Sequence, residues 1–306
     1  MTALQQEPPA ANVVGLRFLW LELTGKCQLE CVQCYASSSP NGTDGVMTVL
    51  DWKRVIDQAA ALGTSCVQFI GGEPTLHKAL PDLIGHALAA RVEVEVYSNL
   101  VYVPDSLWET FSQPGVRLAT SFYSDNAREH MLITGRNTLS RTQNNITTAL
   151  ERGIPLRVGM VHVLDGQRLD QGQELLKRLG VTQIGIDRMR LLGRPSRGVP
   201  DPAELCGACG RGSAAVLPDG SLTLCPMSRN MSAGNVLASP LADILNGVAW
   251  NQALDLVPVP RAGEECQPDK NSCRPTEQDG RDCPPSEKPA CDPRFCNPDY
   301  NPPGKK

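Results

Sequence analysis

The sequence lacks the features that mark membrane, secreted and nucleic-acid-binding proteins. No apolar stretch approaches the roughly 20 residues that a bilayer-spanning helix needs. Residues 1–11 have neither the basic start nor the apolar core of a secretory signal peptide. The formal net charge is -4, so no basic excess is available to attract nucleic acid or an anionic membrane. We therefore expect a cytoplasmic protein that binds neither nucleic acid nor membrane.

Cysteine, by contrast, is plentiful, with 12 in 306 residues. In a reducing compartment such a number favours metal ligation over disulfides. Cys27, Cys31 and Cys34 form a C-x3-C-x2-C spacing directly after the apolar run 16–23, and no fourth cysteine is near. Structural zinc and electron-transfer clusters normally have four protein ligands, whereas a 4Fe-4S cluster with three leaves one iron open. Half of a zinc site is the competing interpretation.

The three-cysteine motif after a first strand resembles the signature of radical S-adenosylmethionine (SAM) enzymes. The resemblance implies a 4Fe-4S cluster whose open iron binds the amino and carboxylate groups of SAM. One position departs from the family pattern, because Gln33 precedes the last cysteine where an aromatic residue or histidine is usual, and Tyr35 follows it. Contacts near the adenine would differ accordingly.

Short apolar or β-branched runs alternate with amphipathic segments, a pattern typical of a parallel sheet covered by helices. It predicts strands at 16–23, 66–70, 92–97, 116–122, 156–163 and 181–186, and helices at 49–62, 81–90 and 170–179 with another ending at Gly153. Six β-then-α units match the α/β fold that the resemblance implies, an open partial (β/α)6 TIM barrel. Its chemistry would lie at the carboxyl ends of the strands.

The second motif, Gly71, Gly72, Glu73 and Pro74, directly follows the second predicted strand. Two glycines let the backbone approach a ligand closely, although such a pair alone usually marks only a turn. In the family this turn receives the methionyl amine of SAM, so these four residues are candidate SAM contacts.

Other candidates follow later strands. Ser121 resembles the strand-four serine that contacts the SAM ribose, although it could simply cap the local backbone. Asn99 could line the same pocket. Arg136, or Arg141, could pair with the SAM carboxylate because a guanidinium fits a carboxylate bidentately, the alternative being a solvated surface position. His130 is interpreted as a surface or capping histidine.

Beyond the barrel the composition changes. Residues 191–204 contain several prolines and are predicted to be a linker between a barrel at 16–190 and a second domain at 205–306, with 1–15 as a flexible N-terminus. Cys206, Cys209 and Cys225 flank a predicted hairpin, followed by a short helix at 240–246. This segment resembles the SPASM or twitch extension, a small Cys-rich α+β domain that holds auxiliary 4Fe-4S clusters.

The tail is rich in proline and carries five more cysteines: Cys266, Cys273, Cys283, Cys291 and Cys296. This composition cannot build a packed core, but metal ligation can fold such a segment. Cys66 is assigned to the core. The order of ligands in the SPASM family then implies that Cys291 completes the cluster of Cys206, Cys209 and Cys225. The other four tail cysteines would hold a second cluster. The tail spacings depart from the family pattern, so one or two auxiliary clusters are expected and zinc is the competing occupant of the tail.

The resemblance implies reductive cleavage of SAM to a 5'-deoxyadenosyl radical that abstracts hydrogen from a substrate carbon. Such enzymes commonly crosslink, epimerise or oxidise ribosomally made peptides, with flavodoxin or ferredoxin as electron donor. Pro226 follows Cys225 where sulfatase-maturing relatives carry an aspartate base, which disfavours that subgroup. The short segment before the first strand leaves no room for a fused leader-peptide-binding domain, so a separate recognition protein is expected.

Two other functions remain open at this point. A dehydrogenase or epimerase acting on a sugar or aminocyclitol would use the same barrel with one auxiliary cluster. A non-catalytic iron-sulfur or zinc scaffold would not explain the glycine pair after a strand. No residue is assigned as the general acid or base.

Overall fold

A computed structural model describes residues 15–196 and 198–259. Their strands form one sheet in the order β6-β5-β4-β3-β2-β1-β7-β8-β9. The strands are β1 (Phe18–Glu22), β2 (Cys66–Ile70), β3 (Glu93–Tyr97), β4 (Val116–Ser121), β5 (Leu156–His162), β6 (Gln183–Arg188), β7 (Ser213–Val216), β8 (Ser221–Thr223) and β9 (Gly234–Asn235). Neighbours from β6 to β7 are parallel, and the last two pairs are antiparallel. The predicted α/β class is confirmed.

One helix follows each of β1, β2, β3 and β5, two follow β4, and two follow β9. The helices are α1 (Val49–Ala61), α2 (Leu80–Ala89), α3 (Asp105–Phe111), α4 (Ala127–Thr134), α5 (Leu139–Glu151), α6 (Leu169–Arg178), α7 (Leu241–Leu245) and α8 (Val248–Asp255). Helix α1 begins with a capping box, in which the Thr48 hydroxyl accepts from the Asp51 amide and the Asp51 carboxylate accepts from the Thr48 amide. No helix in the described ranges has both the length and the apolar character needed to span a membrane.

The predicted strands of the parallel sheet agree with the observed ones to within about two residues at each end. Helices α3, α4 and α8 were not predicted. Helices α3 and α4 are only 7 and 8 residues long, too short for a repeating apolar stripe to become evident. Tertiary packing, rather than local pattern, determines them.

Parallel strands explain where the site can form. In β1, which lies between β2 and β7, every residue is buried, including Glu22, as is typical of a strand inside a parallel sheet. Register places the end of β1 beside the end of β2, as Glu22 pairs with Ile70. The carboxyl ends of β1 to β6 therefore meet at one edge, from which the connecting loops emerge.

The C-terminal extension continues this sheet. Strand β7 pairs in parallel with β1, with Phe18 opposite Ser213. The predicted hairpin turn is present, and its Pro218 carbonyl accepts hydrogen bonds from Val46 and Met47 on the barrel side. The segment predicted as a linker also makes contacts, since Leu192 is buried. The domain boundaries at 190 and 205 remain predictions, and the predicted N-terminal segment lies outside the described residues except for Gly15.

Candidate active site at the carboxyl edge of the sheet

A cavity of about 210 Å³ opens at the carboxyl edge of the parallel strands. Cys27, Cys31 and Cys34 all line it. They lie in the loop between β1 and α1, which is called here the cysteine loop (residues 27–39). The remaining lining comes mainly from residues at or after the ends of the strands: Gly71, Gly72, Tyr97, Asn99, Ser121, Tyr123, Val161, Asp187, Arg188 and Arg190.

Backbone hydrogen bonds to other parts of the chain hold the cysteine loop. The amides of Glu30 and Val32 donate to the carbonyls of Thr134 and Ile133 at the end of α4, over 3.2 and 2.9 Å. Within the loop, the Ser38 amide donates to the Cys34 sulfur at 3.3 Å. This bond fixes the Cys34 side chain relative to the following turn.

The three thiols fit a 4Fe-4S cluster better than a single ion. Burial raises the pKa of Cys27 and of Cys31 to about 12, so binding a metal must displace protons from both. No group of three or more His, Cys, Asp or Glu side chains in the described ranges can hold a single metal ion. In a 4Fe-4S cluster each cysteine binds a different iron, and thiolates are the ligands that iron prefers there. No other cysteine of the described residues lines the cavity, so a 4Fe-4S cluster held here would have one iron without a cysteine ligand.

The glycine pair packs against the chain that leads into the first cysteine. The Gly72 amide donates to the Thr24 carbonyl at 2.7 Å, and the Glu73 amide donates to Lys26 at 2.8 Å. A Cβ on Gly72 would lie 2.2 Å from the Lys26 carbonyl oxygen and 3.0 Å from the Cys27 Cβ. Both glycines line the cavity as predicted, but this close approach within the chain already requires glycine at position 72.

Glu73 and Pro74 do not line the cavity. Pro74 is buried and starts a 3-10 turn. The fully buried Glu73 carboxylate accepts the backbone amides of Asn99 at 2.7 Å and Thr75 at 3.1 Å. Glu73 therefore joins the segments that follow β2 and β3, and a direct SAM contact for either residue stays a prediction.

Asn99 extends this connection to the cysteine loop. Its side-chain amide exchanges hydrogen bonds with Gln28 at 3.1 and 3.2 Å, and its nitrogen lies 3.7 Å from the Cys27 sulfur. Asn99 also lines the cavity. It is placed to contact both a ligand and the first cysteine.

Polar and charged groups form the floor of the cavity. The Ser121 hydroxyl lies 3.1 Å from the Tyr97 hydroxyl, and both residues line the cavity. Beneath them, Arg157 donates bidentately to Glu95 at 2.6 and 3.0 Å, and Gln68 donates to the same carboxylate. The Arg157 guanidinium lies 5.4 Å from the Tyr97 ring centroid. The buried ion pair therefore supports Tyr97, whose hydroxyl lies beside that of Ser121.

The structure does not bring Arg136 to the cavity. Arg136 and its alternative Arg141 are both exposed. Two other arginines, Arg188 at the end of β6 and Arg190 just beyond it, line the cavity instead. Arg190 pairs with Asp187 at 3.2 Å. Their position at the end of the sixth predicted strand was the sequence signal that could have identified them.

The interpretation of His130 as a surface residue is wrong. It lies on the unpredicted helix α4, is only 2% exposed and lines the cavity beside Tyr123, with ring centroids 5.9 Å apart. Its Nε2 lies 3.4 Å from the Thr138 hydroxyl. Burial lowers the pKa of His130 to about 4, so the imidazole is neutral near pH 7.

A second group of thiols lies in the extension. Cys206, Cys209 and Cys225 are all buried, and the sulfurs of Cys209 and Cys225 are 3.3 Å apart, without a disulfide. Hydrogen bonding to the other two thiols, together with burial, holds the pKa of Cys209 far above its ordinary value. Met227, two residues beyond Cys225, lines the cavity and so links both sites. The five tail cysteines, Cys266, Cys273, Cys283, Cys291 and Cys296, lie outside the described residues.

Comparison with family models identifies both parts of the chain. Residues 21–179, more than half of the sequence, match the model of the Radical SAM superfamily. Residues 206–276 match the model of SPASM, an iron-sulfur cluster-binding domain. The second match begins at Cys206 and includes the first two tail cysteines.

Curated relatives are named PqqA peptide cyclase. The protein from Granulibacter bethesdensis is 26% identical over 181 residues, covering 57% of this chain and 48% of the relative. The protein from Rhodopseudomonas palustris is 38% identical over 99 residues, covering 32% of this chain and 25% of the relative. The chain thus spans about half the length, or less, of the curated relatives it matches.

Solved structures share the fold at low sequence identity. Streptococcus suis SuiB bound to precursor peptide SuiA has a TM-score of 0.66 at 14% identity, with 78% of this chain and 66% of SuiB covered. The enzyme anSMEcpe with bound AdoMet has a TM-score of 0.65 at 14% identity, covering 78% and 79% respectively. Together with the family match, the fold is the predicted partial barrel followed by a SPASM domain.

Proposed function

The chain belongs to the radical SAM superfamily, and on that premise we propose that it modifies a ribosomally made peptide in a SAM-dependent reaction. When bound, the 4Fe-4S cluster and SAM supply a 5'-deoxyadenosyl radical that abstracts hydrogen from a substrate carbon. The observation that carries this proposal is the convergence of three thiols from one loop on a cavity at the carboxyl edge of the sheet.

The residues of the cavity have distinct proposed tasks. Cys27, Cys31 and Cys34 would hold the cluster. The backbone at Gly71 and Gly72, together with Asn99 and Ser121, would bind SAM, since these residues line the same cavity. Glu73 keeps Asn99 in place through the amide hydrogen bond. Enclosing these groups keeps water away from a reactive intermediate.

Arg188 and Arg190 are proposed to supply the positive charge of the cavity, a task that the sequence alone suggested for Arg136. Their side chains are 38% and 3% exposed. Arg190 is held by the Glu204 carbonyl at 2.8 Å as well as by Asp187. Arg188 likewise pairs with the Glu204 carboxylate at 2.8 Å. Both guanidiniums are thus held in place, and their remaining N–H groups can donate to an anionic group of SAM or substrate.

The peptide substrate is inferred from the relatives. The curated relatives are peptide cyclases by name, and one similar structure contains a precursor peptide. We propose crosslinking, epimerisation or oxidation of a peptide, with flavodoxin or ferredoxin as electron donor and a separate leader-peptide-binding protein as partner. The reducing cytoplasm would preserve the buried thiols of both sites.

The auxiliary thiols Cys206, Cys209 and Cys225 are proposed to hold one further cluster, with Cys291 as the fourth ligand. Such a cluster could receive the electron that remains on an oxidised product. If Cys266, Cys273, Cys283 and Cys296 hold a second one, the reconstituted chain should contain about twelve irons, and about eight without it.

The peptide proposal is tested with reconstituted, reduced protein and the short peptides encoded beside its gene. Mass spectrometry should show a loss of hydrogen from a peptide that carries a crosslink or an oxidised residue, and chiral amino-acid analysis should detect epimerisation. The Cys31→Ala variant should leave every peptide unchanged. Conversion of a sugar or aminocyclitol, with all neighbouring peptides unaltered, would favour the small-molecule alternative.

A further inference from the structure

The cysteine loop is held on one side by a segment that comes more than 150 residues later. After Leu192, which is buried in the core, the backbone turns at Gly193 with φ of +66°. A Cβ at Gly193 would lie 2.1 Å from the Tyr35 carbonyl oxygen, and the Arg194 amide donates to the Cys34 carbonyl at 2.9 Å. Backbone thus lies directly against backbone beside the third cysteine.

The Arg194 side chain spans the loop. One terminal nitrogen of its guanidinium donates to the Cys31 carbonyl, and the other donates to the Ser38 carbonyl. These two carbonyls lie on either side of Cys34 in the sequence. Because a guanidinium is planar and presents its donors in a fixed geometry, one side chain sets the distance between both ends of the turn that carries Cys34.

The positive charge of Arg194 also acts on the cysteine loop. In the described ranges, no carboxylate forms an ion pair with Arg194, whose guanidinium donates to the backbone carbonyl of Cys31 itself. Arg229 also acts on Cys34 electrostatically, but it forms an ion pair with the buried Glu22 carboxylate. Among the described residues near the thiols, Arg194 thus carries a charge that no paired carboxylate offsets.

A cation near a cluster favours the state with more negative charge. Reduction adds one electron to a 4Fe-4S cluster, and cluster potentials depend on nearby charge and hydrogen bonding. A fixed guanidinium should therefore make the cluster easier to reduce. SAM cleavage needs the reduced cluster, so this effect bears directly on the reaction.

We infer that Arg194 is a positioning residue of the cysteine loop, which retains the cluster by bridging the Cys31 and Ser38 carbonyls and raises its reduction potential through its charge. This inference rests on the proposed function. The segment predicted as a linker thereby contributes a residue to the SAM site. Arg194 is not among the residues that line the cavity, and it acts through the loop.

Two substitutions separate charge from geometry. Arg194→Gln removes the charge but keeps an amide donor, whereas Arg194→Lys keeps the charge but cannot bridge both carbonyls. Arg128→Gln is the matched control, since Arg128 is exposed on α4. The measurement is an anaerobic redox titration of the full reconstituted chain, following the electron paramagnetic resonance signal that changes when SAM is added. Only a cluster with an open iron can give that response.

The Arg194→Gln variant should show a reduction equilibrium shifted about tenfold towards the oxidised cluster, equal to 59 mV for one electron. Arg194→Lys should titrate close to the wild type, and both variants should release iron to a chelator several-fold faster. A wild-type potential in Arg194→Gln, or wild-type iron release in both variants, would overturn the inference. Absence of any SAM-responsive signal in the wild type would instead overturn the proposed function itself.

Discussion

Glu73 and Asn99 lie beyond the ends of neighbouring strands, and the Asn99 backbone amide donates to the Glu73 carboxylate at 2.7 Å. The Asn99 side chain then reaches Gln28 and approaches the Cys27 sulfur. Through these contacts the fully buried Glu73 carboxylate links the segments after β2 and β3 to the first cysteine, although Glu73 itself does not line the cavity.

Replacing Glu73 by Gln should loosen this connection. The side-chain NH2 of the new glutamine would face the backbone N–H of Thr75 or Asn99, so that two donors would meet without an acceptor. This should cost about 1–3 kcal/mol in unfolding free energy. SAM should bind about tenfold more weakly because Asn99 is no longer fixed, which corresponds to about 1.4 kcal/mol. Denaturant unfolding and equilibrium binding measure the two effects. The control Glu93→Gln, at an ion pair whose carboxylate is 60% exposed, should change each by less than about 1 kcal/mol. Equal behaviour of both variants would refute the positioning role of Glu73.

Replacing Gly72 by Ala should prevent normal assembly of the cluster. The added Cβ would lie 2.2 Å from the Lys26 carbonyl oxygen and so displace the chain at Cys27. We expect loss of the SAM-responsive cluster signal, together with a lower iron content. Gly85→Ala in α2 is the control, because nothing lies within 4 Å of its added Cβ. That variant should retain its iron and gain about 0.5–1 kcal/mol from improved helix propensity. Full cluster content in Gly72→Ala would contradict this account of the turn.

The Glu95–Arg157 ion pair beneath the cavity should affect the unfolding free energy mainly when only one of its two partners is removed. Arg157→Met leaves a buried carboxylate without its guanidinium, which should cost about 3–5 kcal/mol in unfolding free energy. The double variant Glu95→Met with Arg157→Met should be more stable than the single Arg157→Met, since no uncompensated charge remains. Urea unfolding of the single and the double variant measures the difference in stability. A double variant less stable than the single one would show that the pair contributes net stability.

Acid should destabilise the metal-free protein through His130. Its pKa of about 4 in the folded state lies below the unfolded value of about 6.5. The unfolded chain therefore binds the proton more readily, so stability is complete above about pH 6.5 and falls as the pH decreases to about 4. The loss amounts to at most about 3 kcal/mol. Unfolding measured across this range should show a smaller loss in His130→Gln than in the wild type. An equal loss in the two proteins would contradict this role of His130.

The sequence predicted what periodicity and motif spacing determine. Strand β2 was located without error, and the cysteine spacing indicated three ligands of one cluster. The glycine pair was predicted to let the backbone approach a ligand closely. Its partner in the structure is the chain at Lys26, which no local pattern reveals.

Contacts between distant parts of the chain could not be predicted. Arg194 meets Cys31 across 163 positions, and its own surroundings in the sequence, rich in proline, indicated only a linker. His130 and the missed helix α4 share one cause, since tertiary packing rather than an apolar stripe makes that segment helical. The parallel pairing of β7 with β1 likewise depends on the whole sheet, and no local pattern in the sequence predicted it.

The most direct test of the account is whether the open iron at Cys27, Cys31 and Cys34 cleaves SAM. Reconstituted, reduced wild-type protein should release 5'-deoxyadenosine from SAM, measured by chromatography. Cys31→Ala should release none while keeping its circular dichroism spectrum. The control Cys66→Ala removes a thiol that is fully buried in β2, away from the cavity, and should retain the activity. Normal release of 5'-deoxyadenosine by Cys31→Ala would contradict the assignment of the three-cysteine site.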